Sequence, residues 1–316
     1  MHSPNYRQAL RRSFALVHHS KGVWVLGVLS LLLGQIGWNN FVGGLVFFSE
    51  EQSFSAYFYS MPLIGALHGA NIFWSLWLII IMLALSLFVI VLAVISEGAL
   101  IAVAVSWYKG EKAINLRKAW HLGAKHFYRL FALHFLKKLL LVLLLVGLNF
   151  LIVYLQAYPD PSSTWLTIAA VTIGLFLALA IATVGIFAAG YIIEGELPFM
   201  EAIRRAITLF REHVLVSLEI SLILLLVQMF VVLLFILSTT WFLLPFVAFT
   251  VLGGFTGSKI IILIGLLLSL VLFFAAAALI GGLLNAYSIS AWMYLFMKMH
   301  HEGIKSHVLN LLRIKG

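Results

Sequence analysis

The chain of 316 residues contains no cysteine and is only 10% charged, with 11 acidic side chains against 20 lysines and arginines. Without cysteine there are no disulfides, no thiolate metal ligands and no cysteine nucleophile. So little charge cannot cover a water-facing surface. With a mean hydropathy of +1.11, the composition excludes a soluble domain. Recognisable catalytic patterns are also missing: there is no G-x-S-x-G turn, no G-x-x-x-x-G-K-[ST] loop and no H-E-x-x-H pair. Adjacent carboxylates occur only as Glu50-Glu51, which point apart on most backbones. Ten of the 11 histidines lie toward the basic side of the chain (His2, His18, His19, His121, His126, His134, His213, His300, His301 and His307) and fit no ligand spacing. They read as interfacial side chains. No metal, no cofactor and no enzymatic activity are therefore expected. Nucleic acid is not expected as a partner, because the positive charge is dispersed along the chain and not gathered in one module.

What is present is apolar sequence, 63% of the chain, in long runs. Six of them are long enough to cross a bilayer: Gly22–Phe48, Ile72–Val105, Leu130–Gln156, Trp165–Ile193, Val214–Leu244 and Lys259–Tyr294. The expected fold is an all-α integral membrane bundle of six spans forming one domain, residues 1–316. The first run lacks a small-x-small cleavage pattern and is read as a retained anchor. Gly98, Gly185, Gly190 and Gly281-Gly282 mark places for bends or for close helix packing.

All but Lys259 of the 20 basic residues lie before span one, between spans two and three including the head of span three, between four and five, or after six. The positive-inside rule then places both termini and these connectors in the cytoplasm of a bacterial-type inner membrane. On the other side the loops are "SEEQSFSAYFYSMPLIGALHGA", "AYPDPSS" and "GGFTGS", the latter two closing antiparallel hairpins.

One basic stretch recurs. Tyr6–Leu33 lies over Phe199–Leu226 without a gap, matching Ala9, Arg11, Arg12, Leu16 and Val23 to Ala202, Arg204, Arg205, Leu209 and Val216. A weaker copy holds Arg117 and Ala119 at the positions of Arg7 and Ala9. The chain thus reads as three units, approximately 1–110, 111–195 and 196–316. Each is an amphipathic elbow helix, a span, a loop and a return span, a plan compatible with threefold pseudo-symmetry. In the third copy Phe199, Ile203, Ala206, Ile207 and Phe210 share one face, opposite the arginines. Such helices suit the membrane surface, apolar side down. Arg11, Arg12, Arg117, Lys118, Arg204 and Arg205 would then lie near anionic headgroups, or would simply obey the charge rule.

With its "A[IL]RR" elbows, six spans and the closing "AYSISAWMYLFMKMHHEG", the chain resembles the membrane domain of glycerophosphoryl diester phosphodiesterases and the bacterial YciC-like inner-membrane proteins. In the phosphodiesterases a soluble catalytic barrel follows this domain. Here the sequence stops at Gly316, so the resemblance implies the membrane part alone.

Polar residues inside spans supply the remaining candidates. Glu97 is the foremost, since an acidic group within a membrane helix is costly. It reads either as a proton or cation site facing a cavity or as an interfacial carboxylate paired with an elbow. Glu194 and Glu219 are expected to pair with Arg204, Arg205 or Lys137. Asn149, Gln228, Asn285 and Tyr287 suit interhelical hydrogen bonds or the lining of a substrate path. The first functional expectation is a non-enzymatic component associated with lipid or with an envelope complex, with a homo-oligomer or an envelope protein as partner. The alternative is a transporter or channel for a small solute or lipid, with Glu97, Asn285, Gln228 and Asn149 along its path. A polar cavity reached by Glu97 and either Asn285 or Gln228 would favour transport, and a solid apolar centre would favour the scaffold.

Overall fold

The computed structural model describes residues 6–34, 72–111, 115–157 and 163–302. Among them the chain forms nine α-helices and no strand: α1 (Tyr6–His19), α2 (Lys21–Gly34), α3 (Ile72–Tyr108), α4 (Leu116–Lys125), α5 (Phe127–Ala157), α6 (Ser163–Glu194), α7 (Phe199–Glu212), α8 (Val214–Thr256) and α9 (Lys259–Glu302). The reason is the solvent. With no water in the hydrocarbon, every backbone N–H and C=O must be satisfied within its own helix. Helices α3, α5, α6, α8 and α9 are each long and apolar enough to cross a membrane. Helix α2 is described only to Gly34, and the rest of the expected first span, with the outer loops at 49–70 and 158–162, lies outside the described residues. Helices α1 and α2 meet at 103° and together qualify as a sixth, bent span. Trp24 Nε1 donates to the Val17 carbonyl at 2.6 Å across that bend.

Span five is longer than the sequence suggested. Helix α8 runs through Pro245 to Thr256 and is capped by Gly257, whose φ of 67° is left-handed, so most of "GGFTGS" is helix and not loop. Proline is tolerated there because a neighbouring helix satisfies freed backbone groups. Just beyond it, the Phe246 N–H donates to Ser269 Oγ of α9 at 2.9 Å. The glycines marked as bends or contacts are contacts. Helices run on through Gly98, Gly185, Gly190, Gly281 and Gly282, where an added Cβ would press on Leu130, Lys137, Phe296, Leu31 and Val28 respectively.

Within the units the spans pair as α2 with α3, α5 with α6 and α8 with α9, and the return spans α3, α6 and α9 each touch the other two. Buried side chains concentrate toward their C-terminal ends: Leu100 and Ile101 in α3, Phe187 and Ile192 in α6, Met293 to Met297 in α9. This is the basic end of the molecule. Toward the far end the helices present apolar side chains outward, among them Ile80, Leu87, Leu237, Phe255 and Phe274. A belt of that size belongs against lipid.

The elbows behave alike. Helix α1 packs on α9, α4 on α3 and α7 on α6, so each rests on a return span of the unit before it, and the first unit closes on the last. Each buries a small residue twice, four positions apart: Ala9 and Ser13, Ala119 and Gly123, Ala202 and Ala206. Small residues let helix backbones approach. At Gly123 an added Cβ would collide with the Ile95 carbonyl and stand 2.9 Å from Ala99 N. The apolar faces of these elbows are therefore covered by protein. In α7, Phe199, Ile203 and Phe210 pack on the core, and only Met200 and Ile207 offer large apolar side chains outward. That corrects the expectation that this face lies on lipid. The basic residues Arg11, Arg12, Arg117, Lys118, Arg204 and Arg205 are exposed.

Candidate functional site: an amphipathic cavity behind Glu97

A cavity of about 400 Å³ lies among α3, α5, α6, α8 and α9. Glu97, Gln228 and Asn285, singled out far apart in the sequence, all line it, together with His134 and Lys137. Taken from the basic ends of their helices at 1.5 Å per residue, His134, Lys137 and Glu97 lie about 10–16 Å inward along α5 and α3. The rest of the wall is largely apolar: Leu175, Leu179, Leu218 and Leu225 among others. Phe176 of α6 and Leu222 of α8 also line it and are 56% and 58% exposed. The mouth therefore opens sideways, between α6 and α8, where lipid would lie.

Glu97 is only 5% exposed. Its Oε2 stands 3.3 Å from His134 Nε2, and His134 is 7% exposed. The approach is close, but it lacks hydrogen-bond alignment. Glu97 Oε2 and both imidazole nitrogens have no hydrogen-bond partner among the described residues. Neither an elbow lysine nor an elbow arginine reaches this carboxylate as an ion pair there. Buried groups of this polarity are nearly always satisfied, and such a cluster within a membrane is a functional-site candidate. Gly185 leaves room for the Lys137 stem, since a Cβ there would come 2.9 Å from Lys137 Cδ.

The amides divide their work. Gln228 Nε2 donates to Ser288 Oγ at 3.0 Å, tying α8 to α9. Asn285 Nδ2 donates to Ser30 Oγ at 2.9 Å, tying α9 to α2. Asn149 donates to the Leu145 carbonyl of its own helix and is not part of the cavity wall. Glu194 pairs with Lys109 at 2.9 Å, and Glu219 accepts from the Tyr6 hydroxyl. Lys109, just past the end of α3, is not among the partners the sequence suggested for Glu194, and Tyr6 reaches Glu219 because the first elbow packs on the third unit.

His134 is the residue that sequence reasoning missed. By sequence it groups with the interfacial histidines, although it begins a polar pair with Lys137, one helical turn on. His126, at the junction of α4 and α5, is also buried. Burial, then the charges of Lys125 and Arg129, hold its imidazole below the ordinary histidine range. Nearby, Lys125 donates to Glu196 at 2.7 Å and lowers that carboxyl's pKa, while Arg129 donates to the carbonyls of Glu196 and Leu197. These contacts hold Glu196 at a φ of 50°, left-handed for a non-glycine residue. No group of three or more His, Asp or Glu side chains suited to a metal occurs among the described residues.

No protein-family model, curated protein or solved structure matches the chain.

Proposed function

We propose that this multi-pass membrane protein is a carrier for a single-chain membrane amphiphile. The amphiphile enters sideways between α6 and α8, with its polar head at Glu97, His134 and Lys137 and its tail along the leucines. The observation that carries this reading is the cavity itself: one wall gathers the ionisable groups of two spans, α3 and α5, and the mouth faces the bilayer. Its volume falls in the range of small-molecule sites. Ionisable side chains within spans are expensive, and facing a substrate path is a common reason to keep them. Under the positive-inside rule the elbows and both termini are cytoplasmic in an inner membrane, so the polar end of the cavity lies in the cytoplasmic half. No enzymatic role is assigned.

A second reading keeps the protein as a lipid-associated or envelope-complex component without transport. It is favoured by the exposed basic residues of the elbows, from Arg11 and Arg12 to Arg204 and Arg205, which suit anionic headgroups. Native mass spectrometry of the protein extracted in a mild maltoside detergent separates the two. The carrier reading expects a retained lipid in the parent protein that is lost in Ala182→Trp, which fills the cavity. Equal retention in both would discard it.

A further inference from the structure

We infer that the Glu97–His134 pair takes up one proton when an anionic headgroup enters the cavity, so that the site binds an anionic amphiphile and a proton together. This rests on the reading of the cavity as an amphiphile site and adds the headgroup's charge and its coupling.

Charge balance inside the cavity tolerates little excess of either sign. The titratable groups facing the cavity are Glu97 from α3 and His134 and Lys137 from α5. The walls from α6, α8 and α9 contribute hydroxyls and amides: Thr172, Thr183, Ser221, Gln228, Asn285 and Ser288. With a neutral imidazole, the Glu97 carboxylate and the Lys137 ammonium cancel. An incoming anion then leaves one negative charge in excess within the low-dielectric span, which is strongly unfavourable. One proton from the aqueous phase, added to the pair, restores neutrality. The pair has the capacity to hold it, because Glu97 Oε2 and both nitrogens of His134 carry no other hydrogen bond among the described residues. At 3.3 Å the two side chains are close enough to share a proton, which then belongs to the pair whichever atom carries it. A neutral amphiphile disturbs no balance and brings no proton.

Isothermal titration calorimetry in two buffers of different ionisation enthalpy tests this. The probes are decane-1-sulfonate, which stays ionised throughout, and decan-1-ol, with Ala182→Trp as the blank. One proton should be taken up per sulfonate bound, with affinity rising up to about tenfold per unit fall in pH, and none with decanol. Glu97→Gln leaves the site with a positive charge in hand, so it should bind sulfonate without proton uptake. Should that variant not fold, the infrared difference spectrum of the parent protein on sulfonate binding serves instead, and must show a new imidazolium or protonated carboxyl. Sulfonate binding without proton uptake, an unchanged infrared spectrum, undiminished uptake in Glu97→Gln, or binding of decanol alone each overturns the coupling and leaves the cavity reading standing. If neither probe gives more heat than the blank, the amphiphile reading falls and the coupling falls with it.

Discussion

The seam between α2 and α9 and the gap between α6 and α8 are both places where one helical unit meets the next, yet they are built from opposite materials. At the seam, Gly27 faces Gly282 and Ala286, and a Cβ on Gly282 would stand 2.7 Å from Val28 N. Asn285 and Ser30 complete the contact, both buried. At the gap, the corresponding faces carry Phe176, Leu179, Leu222 and Leu225, whose side chains hold the helices apart around a cavity. Lipid tails are as apolar as leucine, so large side chains gain little by meeting each other, whereas small ones gain close backbone contact. Residue size alone thus decides which boundary is sealed and which one opens.

The contrast can be pressed from either side. The largest effect is expected from Gly27→Val, which drives a branched side chain into the Gly282 carbonyl. It should cost about 3 kcal/mol in mixed-micelle unfolding, and a variant as stable as its parent would show that the seam is not tight. Next, Asn285→Ala removes the bond to Ser30 and should cost about 1 kcal/mol by the same measurement. Smallest is Leu222→Ala at the mouth, expected to change stability by less than about 0.5 kcal/mol because that side chain is more than half exposed. A loss comparable to the Asn285 variant would mean that the gap is a packed interface after all.

Much of this arrangement was legible in the sequence. Apolar run lengths gave the spans, because bilayer thickness fixes them. The elbow copies aligned Ser20 with His213, and both residues are the single-residue junctions between an elbow and its span. Glu97, Gln228 and Asn285 stood out because polar atoms in hydrocarbon need a reason, and they share one cavity. What stayed hidden depended on the third dimension. Amphipathicity marks a face on α7 but does not say whether lipid or protein covers it. His134 reads as interfacial because Lys137 and Lys138 follow it at the head of span three, and only the packing of α3 on α5 brings Glu97 against it. The partners of Glu194 and Glu219 come from Lys109 and Tyr6, distant in sequence, and no periodicity announces them.

The closure of the first unit on α9 has a consequence for biogenesis. Helices α1 and α2 are made first, but the surface they pack against is the last of the described helices to leave the ribosome. Until then Gly27, Ser30 and the Ala9–Ser13 face must wait in the bilayer unmatched, and Tyr6 must wait for Glu219. Assembly therefore ends in a ring-closing step across nearly the whole chain, the kind of long-range contact that forms slowly. Nascent chains paused before α9 would present quality-control proteases with an intact early hairpin whose small-residue groove is still open.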